Sequence, residues 1–280
     1  MKLSIITINY NNADSLRKTL ASVAEQSYRD IEHIIIDGGS TDGSVDIIKE
    51  YVSANLNRNP FFKHTIKWVS EKDNGIYNAM NKGILRATGS YVQILNSGDI
   101  LAASNVVERM VAEIEKSEYP ELLYGNMIKK DYATGKILGK SREVEYSLRQ
   151  YYTSTMNHDC CYIRRDVYDK YGLYDESLKI VSDWKWFLQA IGLGKVKPVY
   201  VDIDVTIFDA SGISETNLEL RQAERQQVLD ELLPPAVLTD YAKHTFPMEE
   251  YNRLKKYHLW GLAWFVERVF FKLEKWHILR

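Results

Sequence analysis

Cysteine is almost absent from this 280-residue chain. The two cysteines are neighbours, Cys160 and Cys161, and adjacent cysteines rarely reach the geometry of a disulfide. The sequence also contains no C-x-x-C pair and no His/Cys spacing typical of a metal site. A fold stabilised by disulfide bonds is therefore excluded. This favours a protein that works in a reducing compartment.

Long hydrophobic runs and a charge bias are missing as well. The clearest apolar run near the end, Leu259 to Val266, is much shorter than the ~20 residues needed to span a bilayer. Basic and acidic residues nearly balance, 36 against 38, so nothing attracts the chain to nucleic acid. Met1 and Lys2 lead directly into an apolar segment without a signal-peptide cleavage site. These absences predict a cytoplasmic protein, or one at the inner face of the membrane, that does not cross it.

The most informative stretch that is present reads IIIDGGSTDGS, residues 34–44. A β-branched run ends in Asp37 and is stopped by Gly38 and Gly39, which predicts a buried parallel strand. Ligands of open α/β sheets bind just beyond the carboxyl ends of such strands. Asp37 is thus placed to accept N–H bonds from a nucleotide base, and the glycines let the backbone approach a ligand. The G-x-G-x-x-G dinucleotide fingerprint does not occur in the chain.

Strand and helix patterns alternate through residues 1–117, which predicts a mainly parallel, doubly wound sheet. Apolar helical stripes separate four predicted strands, Leu3–Asn9, Ile31–Asp37, Ile66–Ser70 and Tyr91–Leu95. After Pro120 the pattern loosens. It predicts a hairpin of Leu122–Lys130 with Lys136–Leu138, a strand at Cys160–Ile163, a helix from Asp183, and charged helical sequence from Glu215 onward.

Two further carboxylates stand where chemistry would need them. Asp99 follows the fourth strand in a glycine-containing loop, and one or two carboxylates with phosphate oxygens hold Mg²⁺ or Mn²⁺ in such places. Asp183 opens a helix, whose dipole keeps a carboxylate ionised, as a general base requires. A carboxylate after a strand is more often a turn residue, and a plain helix cap explains Asp183 alone equally well.

Several stretches taken together resemble the family 2 glycosyltransferases of GT-A fold. These stretches are SIITINYN (4–11), IDGGSTDGS (36–44), EKDNGIYNAMNKG (71–83), ATG (87–89) and LNSGD (95–99). The resemblance is close over residues 3–101 and looser over 155–190, and the DNGIY wording is most similar to bacterial WcaE-like polysaccharide transferases. It implies a GT-A catalytic domain over 1–210, with a nucleotide-sugar-binding half (1–117) and an acceptor half (118–210), followed by a helical extension over 211–280.

The resemblance also implies roles for individual residues. Asp183 would be the catalytic base and Asp99 the ligand of Mg²⁺ or Mn²⁺, while His158 would bond a phosphate or an acceptor sugar, unless it is a structural loop histidine. Asn96 and Gly98 stand where acidic residues are common in the family, which bears on metal affinity. The residues that would line the donor pocket are Ile8, Tyr10, Asp37, Gly38, Asp73, Asn81, Lys82, Ser97, Gly98 and His158.

The function implied is metal-dependent, inverting transfer of a sugar from a UDP- or GDP-linked donor to a saccharide or polyprenyl-linked acceptor in bacterial surface polysaccharide biosynthesis. Two other functions stay open, a sugar-1-phosphate nucleotidyltransferase and a non-catalytic nucleotide-sugar-binding module. The lack of an early glycine-rich, basic phosphate loop argues against the first. The residues at Asn96 and Gly98 prompt the second.

The segment Lys255–Arg280 interleaves aromatic with basic residues. This composition suits a helix that lies on a membrane surface. A helix packed on its own domain, or on the partner in a homodimer, explains it equally well. Membrane contact would suit an acceptor carried on a polyprenyl lipid.

Overall fold

A computed structural model describes residues 1–57, 64–132, 134–209 and 217–242. The aromatic and basic segment Lys255–Arg280 lies outside these residues. The chain divides into two compact units, with the boundary between Gln226 and Gln227. The predicted division at residue 210 stays a prediction. Within the described ranges no helix has the length and apolar character needed to cross a membrane.

The alternation of strand and helix predicted for residues 1–117 is confirmed. The strands are β1 (Leu3–Asn9), β2 (Ile31–Asp37), β3 (Thr65–Ser70), β4 (Tyr91–Ile94), β5 (Ile100–Leu101), β6 (Leu122–Lys130), β7 (Ile137–Lys140), β8 (Cys161–Arg164) and β9 (Pro198–Asp209). The helices are α1 (Ala13–Ala24), α2 (Ser44–Leu56), α3 (Ile76–Arg86), α4 (Val106–Lys116), α5 (Leu148–Thr153), α6 (Asp166–Tyr171), α7 (Ser182–Phe187) and α8 (Leu218–Leu232). A 3₁₀ turn at His158–Cys160 precedes β8, and a π-helical turn at Leu188–Gly192 continues α7.

The strands form one sheet in the order β3-β2-β1-β4-β8-β6-β9-β5, with β7 paired to β6. Strands β3, β2, β1 and β4 are parallel to one another. Strand β8 is antiparallel to both β4 and β6, and β9 is parallel to β6. The carboxyl ends of β1, β2, β4, β6 and β9 therefore meet at one edge of the sheet, where β8 begins. Such an edge is where ligands of α/β folds bind.

Burial explains why these segments form a sheet with helices packed on it. Every residue of β1 and β2 is buried, as expected for parallel strands covered on both faces. Helix α1 buries Leu16, Leu20 and Val23, while α4 buries Met110 and Ile114. Fully burying one such side chain contributes about 1.5–3 kcal/mol. The core is therefore built from the apolar runs and stripes visible in the sequence.

The second half of the sheet departs from the predictions. The hairpin is confirmed as β6 and β7, and the strand predicted at Cys160 begins at Cys161. Strand β9 was not predicted, although Val201, Ile203 and Val205 alternate with aspartates along it. The sheet is thus parallel in its first half and mixed in its second.

Glu32 in β2 is a buried carboxylate that ties the turn after α3 to the sheet. It accepts hydrogen bonds from the Ser4 hydroxyl and from the backbone N–H and hydroxyl of Thr88, and it pairs with Lys67. Burial would raise the pKa of the Glu32 carboxyl, but the bonds from Lys67, Thr88 and Ser4 outweigh it and lower that pKa to about 2. Glu32 is therefore charged wherever the protein is folded near neutral pH.

Glu32→Gln should lower the free energy of unfolding at pH 7 by roughly 1–3 kcal/mol, because a charged acceptor is lost from a buried network. The carboxyl titrates near 4.5 when unfolded and about 2 when folded, so its stabilisation is complete above pH 4.5 and disappears as the pH falls towards 2. Chemical denaturation at pH 7 and pH 3 measures this.

Glu50→Gln is the matched control, because the exposed Glu50–Arg17 pair should contribute less than about 1 kcal/mol at either pH. A Glu32→Gln loss that stayed equal at pH 7 and pH 3 would contradict the role given to the charge.

Candidate active site

Asp37 lies at the end of β2 and is fully buried. One oxygen accepts hydrogen bonds from Asn9 Nδ2 at 2.8 Å and Ser40 Oγ at 2.6 Å, and the other from Ser70 Oγ at 2.6 Å and Ser40 N at 3.0 Å. Burial would raise the pKa of Asp37, but these bonds lower it. A carboxylate has about four acceptor sites, and here they bind the ends of β1 and β3 as well as the loop after β2. The direct base contact expected for Asp37 stays a prediction.

Beside Asp37, an exposed aromatic ring and a charged pair surround Gly38. A Cβ atom at Gly38 would lie 3.1 Å from Asp73 Oδ2 and 3.2 Å from Tyr10 Cδ2, which is tighter than ordinary contact. The Tyr10 side chain is 66% exposed. Asp73 pairs with Lys82, whose Nζ also lies 2.9 Å from a Glu71 oxygen. The structure thus brings Tyr10, Gly38, Asp73 and Lys82 together at the ends of β1 and β2.

The loop after β4 is fastened to the start of the chain. Asn12 Nδ2 donates to the Ser97 carbonyl at 3.1 Å. Thr19 Oγ1 accepts from the Gly98 N–H at 3.0 Å and donates to the Asp99 carbonyl at 2.8 Å. Gly98 has a φ of 114°, a conformation that side chains disfavour. These bonds hold the largely buried Asp99 beside the ends of β1 and β4.

Asp183 lies in the first turn of α7, and two donors hold its carboxylate. Tyr77 donates its hydroxyl to Oδ1 at 3.0 Å, and His158 Nδ1 lies 3.1 Å from Oδ2. Burial would raise the pKa of Asp183, but the bond and charge of His158, together with Tyr77, lower it. The side chain is 18% exposed. Asp183 is therefore an ionised carboxylate that a ligand hydroxyl can reach.

His158 connects Asp183 to the loop after β4. Its Nε2 atom lies 3.1 Å from Asn96 Nδ2. Burial would lower the pKa of His158, but the bond and charge of Asp183, with smaller contributions from Asp159 and Asp99, raise it to about 9. Nδ1 is thus bonded to Asp183 and Nε2 lies beside the Asn96 amide, while the phosphate or acceptor contact expected for this histidine stays a prediction.

Helix α8 braces the segment that leads to Asp183. The buried Glu224 carboxylate accepts the backbone N–H bonds of Lys179 at 2.7 Å and Ile180 at 2.9 Å. The Arg225 guanidinium stacks 4.0 Å from the centre of the Trp184 ring. An aromatic ring attracts a cation above its face, so this contact adds to the hydrogen bonds. The start of α7 is held on both sides of Asp183.

Two residues of the predicted donor pocket have other contacts. Asn81 Nδ2 donates to the Tyr174 carbonyl and a Glu176 oxygen, and its Oδ1 accepts from the Tyr174 N–H. Asn81 therefore fastens α3 to the loop before α7, and its expected place in the donor pocket stays a prediction. The Ile8 side chain is buried in the core, while its carbonyl accepts the Ser97 N–H at 3.0 Å.

Oxygen donors for a metal ion lie on the loop after β4. Asn96 Oδ1 is buried and has no hydrogen-bond partner among the described residues, and Asp99 supplies a carboxylate on the same loop. Carboxylate and amide oxygens are ligands that Mg²⁺ and Mn²⁺ accept. Nowhere in the described part of the chain do three or more His, Cys, Asp or Glu side chains form a group that could hold a metal. The residues fit a site that ligand phosphates complete.

The sequence-based interpretation assigned no role to three residues of this region. Tyr77 lies within the DNGIY stretch on which the resemblance rests, so a signal for it was present. Asn12 and Thr19 lie outside the stretches that carry the resemblance. Their partners on the loop after β4 are about 80 residues away in sequence. Neither the spacing of motifs nor the hydrophobic periodicity of a sequence reveals hydrogen bonds between residues so far apart in the chain.

Comparison with known proteins shows the family to which the chain belongs. Residues 4–172 match the family model described as Glycosyl transferase family 2. The uncharacterized glycosyltransferase Rv1514c of Mycobacterium tuberculosis is 31% identical over 217 residues, which cover 75% of this chain and 76% of the relative. The chain belongs to glycosyl transferase family 2.

Solved structures agree on the fold. Staphylococcus aureus TarS 1-349 in complex with UDP-GlcNAc aligns with a TM-score of 0.61 at 18% identity, covering 82% of this chain and 71% of that one. The chain spans only 42% of a longer TarS structure. The mannosyltransferase PcManGT from Pyrobaculum calidifontis, in complex with GDP-Man and Mn²⁺, aligns with a TM-score of 0.60 at 17% identity, covering 82% and 63%. The fold is the GT-A fold predicted from the sequence.

Asp37→Asn should weaken both folding and nucleotide binding, because Asp37 joins the loop after β2 to the ends of β1 and β3 at the proposed pocket. The free energy of unfolding should fall by about 1–3 kcal/mol, since an amide nitrogen would face donors in a buried network. Chemical denaturation and calorimetric titration with UDP and GDP measure the two effects.

Ser70→Ala, which removes one donor to Asp37, should cause a smaller loss of about 1 kcal/mol. Nucleotide affinity lost by Asp37→Asn at unchanged stability would show direct base contact instead.

Proposed function

We propose that this chain is a metal-dependent, inverting glycosyltransferase of the WcaE-like type. It would move a sugar from a UDP- or GDP-linked donor to a hydroxyl of a saccharide or lipid-linked acceptor in bacterial surface polysaccharide biosynthesis. The observation that carries the proposal is the ionised, partly exposed Asp183 carboxylate, held by Tyr77 and by His158, whose ring also lies beside Asn96 on the loop after β4.

The chemistry follows from the position of Asp183. An acceptor hydroxyl within hydrogen-bond reach of the carboxylate would pass its proton to it while the oxygen attacks the anomeric carbon. The bond from that carbon to the diphosphate oxygen breaks, and the diphosphate leaves with the electron pair. One displacement from the opposite face inverts the anomeric centre, as the same logic requires in glycosidases. The lowered pKa of Asp183 keeps the carboxylate unprotonated at neutral pH.

Asp99, with Asn96 Oδ1, would hold the metal ion. When bound, Mg²⁺ or Mn²⁺ neutralises charge that develops on a leaving diphosphate. The Mn²⁺ named with the structural neighbour PcManGT supports this assignment. The carboxylate of Asp99 and the amide oxygen of Asn96 are hard oxygen ligands, which suits either ion.

The donor is proposed from the same comparisons. UDP-GlcNAc and GDP-Man are named with two structural neighbours, which supports a nucleotide-sugar donor and leaves both bases open. Tyr10 offers an exposed ring beside Gly38. Asp73, which lies against Gly38, and Lys82, which pairs with Asp73, would border this pocket.

The two alternative functions make different products. A nucleotidyltransferase releases pyrophosphate, a glycosyltransferase releases a nucleoside diphosphate, and a binding module releases neither. Neither alternative needs a carboxylate that is held ionised and open to an acceptor hydroxyl, which is what Asp183 provides. Of the three functions, glycosyl transfer is therefore the one that gives the Asp183 carboxylate a role.

Asp183→Asn should lower kcat for nucleoside diphosphate release by about 10²-fold or more while the donor Kd stays near that of the wild type, because a general base is lost and the donor contacts remain. Coupled detection of the diphosphate and calorimetric donor titration provide the two numbers. Retention of more than about a tenth of wild-type kcat would end the base assignment.

Asp175→Asn is the matched control. This carboxylate lies on the loop before α7 and pairs with Lys185 at 2.8 Å. The same chemical change there should leave kcat within about tenfold of the wild type, since Asp175 contacts no reacting atom in the proposed mechanism.

Asp99→Asn should weaken donor binding in Mn²⁺ by about tenfold or more, equivalent to about 1.4 kcal/mol, and should abolish the difference between Mn²⁺ and EDTA. Asn96→Ala should have a smaller effect, because it removes a neutral ligand. Calorimetry with each metal condition measures the change. Full wild-type activity in EDTA would overturn the metal assignment.

A further inference from the structure

We propose that His158 is a positioning residue that orients the Asp183 carboxylate by donating a hydrogen bond from Nδ1 to its second oxygen. The proposal rests on the glycosyl transfer proposed above and adds to it a residue that acts through the base. His158 would contact neither donor nor acceptor. It would connect the element that activates the acceptor hydroxyl with the element that binds the donor.

The contacts of the imidazole carry this inference. Nδ1 lies 3.1 Å from Asp183 Oδ2, and Nε2 lies 3.1 Å from Asn96 Nδ2. An imidazole ring is rigid, so one planar group sets the separation between the carboxylate and the Asn96 amide. The ring is 19% exposed, which places most of it inside the protein. A mobile loop histidine would not bridge two elements in this way.

The backbone around His158 is itself fixed by buried polar contacts. Gln93 in β4 donates to the Asp159 carbonyl at 2.8 Å, and the Thr206 hydroxyl of β9 donates to the Asp159 carboxylate. These three side chains are all buried. Both cysteine thiols donate to the Asn157 carbonyl. Strands on both sides of β8 therefore hold the 3₁₀ turn that presents the histidine.

The second donor matters because one hydrogen bond does not fix a carboxylate. With Tyr77 alone, the Asp183 side chain could turn about its last torsion and move Oδ2 away from the acceptor. His158 binds that second oxygen and so fixes the orientation of the carboxylate. The lone pairs of Asp183 that remain free then keep one direction. Misplacing a reacting group by about 1 Å costs on the order of 10²-fold in rate. Loss of His158 should thus reduce kcat while donor binding stays unchanged.

Two substitutions separate the two ends of the ring. The amide nitrogen of asparagine occupies the place of Nδ1, so His158→Asn retains a donor to Asp183 and loses the contact with Asn96. The amide of glutamine reaches as far as Nε2, so His158→Gln retains the contact with Asn96 and loses the donor to Asp183. The pair tests which contact serves the reaction.

We expect His158→Asn to keep kcat within about tenfold of the wild type, and His158→Gln to lower it by about 10²-fold, with the donor Kd unchanged in both and equal melting temperatures. His33→Gln is the matched control, because it removes another buried histidine, bonded to Thr7 and Tyr51, and should leave kcat unchanged. Equal kcat for the two His158 variants, higher kcat for His158→Gln, or a loss confined to the donor Kd would overturn the proposal.

A spectroscopic measurement needs no change at His158. In protein labelled with ¹⁵N at histidine, the Nδ1 resonance of His158 should shift on Asp183→Asn and stay in place on Asp175→Asn. An Nδ1 resonance that ignored Asp183→Asn would refute the contact. If the wild type itself releases no nucleoside diphosphate from any donor, the proposed function fails. If the wild type turns over and the two His158 variants match, only the positioning role fails.

Discussion

The hydrogen bonds that Tyr77 and His158 donate to Asp183 are the interaction on which the site depends. The two donors are 106 and 25 residues away from Asp183 in sequence, so only the complete fold brings them together. A carboxylate in a mostly buried position is costly unless donors and charge compensate it. Here they do so while leaving 18% of the side chain exposed. The proposed base is thus ionised, oriented and partly exposed at the same time.

The sheet supplies the second constraint. Because β1, β2 and β4 are parallel and adjacent, the loops that follow them lie at one edge. Bonds from Asn12 and Thr19 keep the loop after β4 in place, and bonds from Ser40 to Asp37 keep the loop after β2 in place. His158 then joins this edge to α7. The elements proposed to bind the donor and to carry the base are joined by hydrogen bonds and side-chain contacts within the described residues.

Much of the fold could be predicted because its signals are local. Parallel strands appear as continuous apolar runs such as Ile34–Ile36, and helices as apolar stripes such as that of α4. Strand β9 escaped because its aspartates interrupt the apolar pattern. The roles of Asn81 and Asp37 could not be read from the sequence, since their partners, Tyr174 and Ser70, are 93 and 33 residues away. The resemblance proposed residues for the site, and only the structure showed which of them contact one another.

The central claim is a single displacement in which Asp183 takes the proton of the acceptor hydroxyl. The configuration of the anomeric carbon tests it most directly, followed by ¹H NMR while wild-type protein converts a nucleotide-sugar of known configuration in the presence of Mn²⁺. We expect a product whose anomeric configuration is opposite to that of the donor, formed at the same rate as the nucleoside diphosphate. A product that retains the donor's configuration, or release of pyrophosphate in place of the diphosphate, would contradict it.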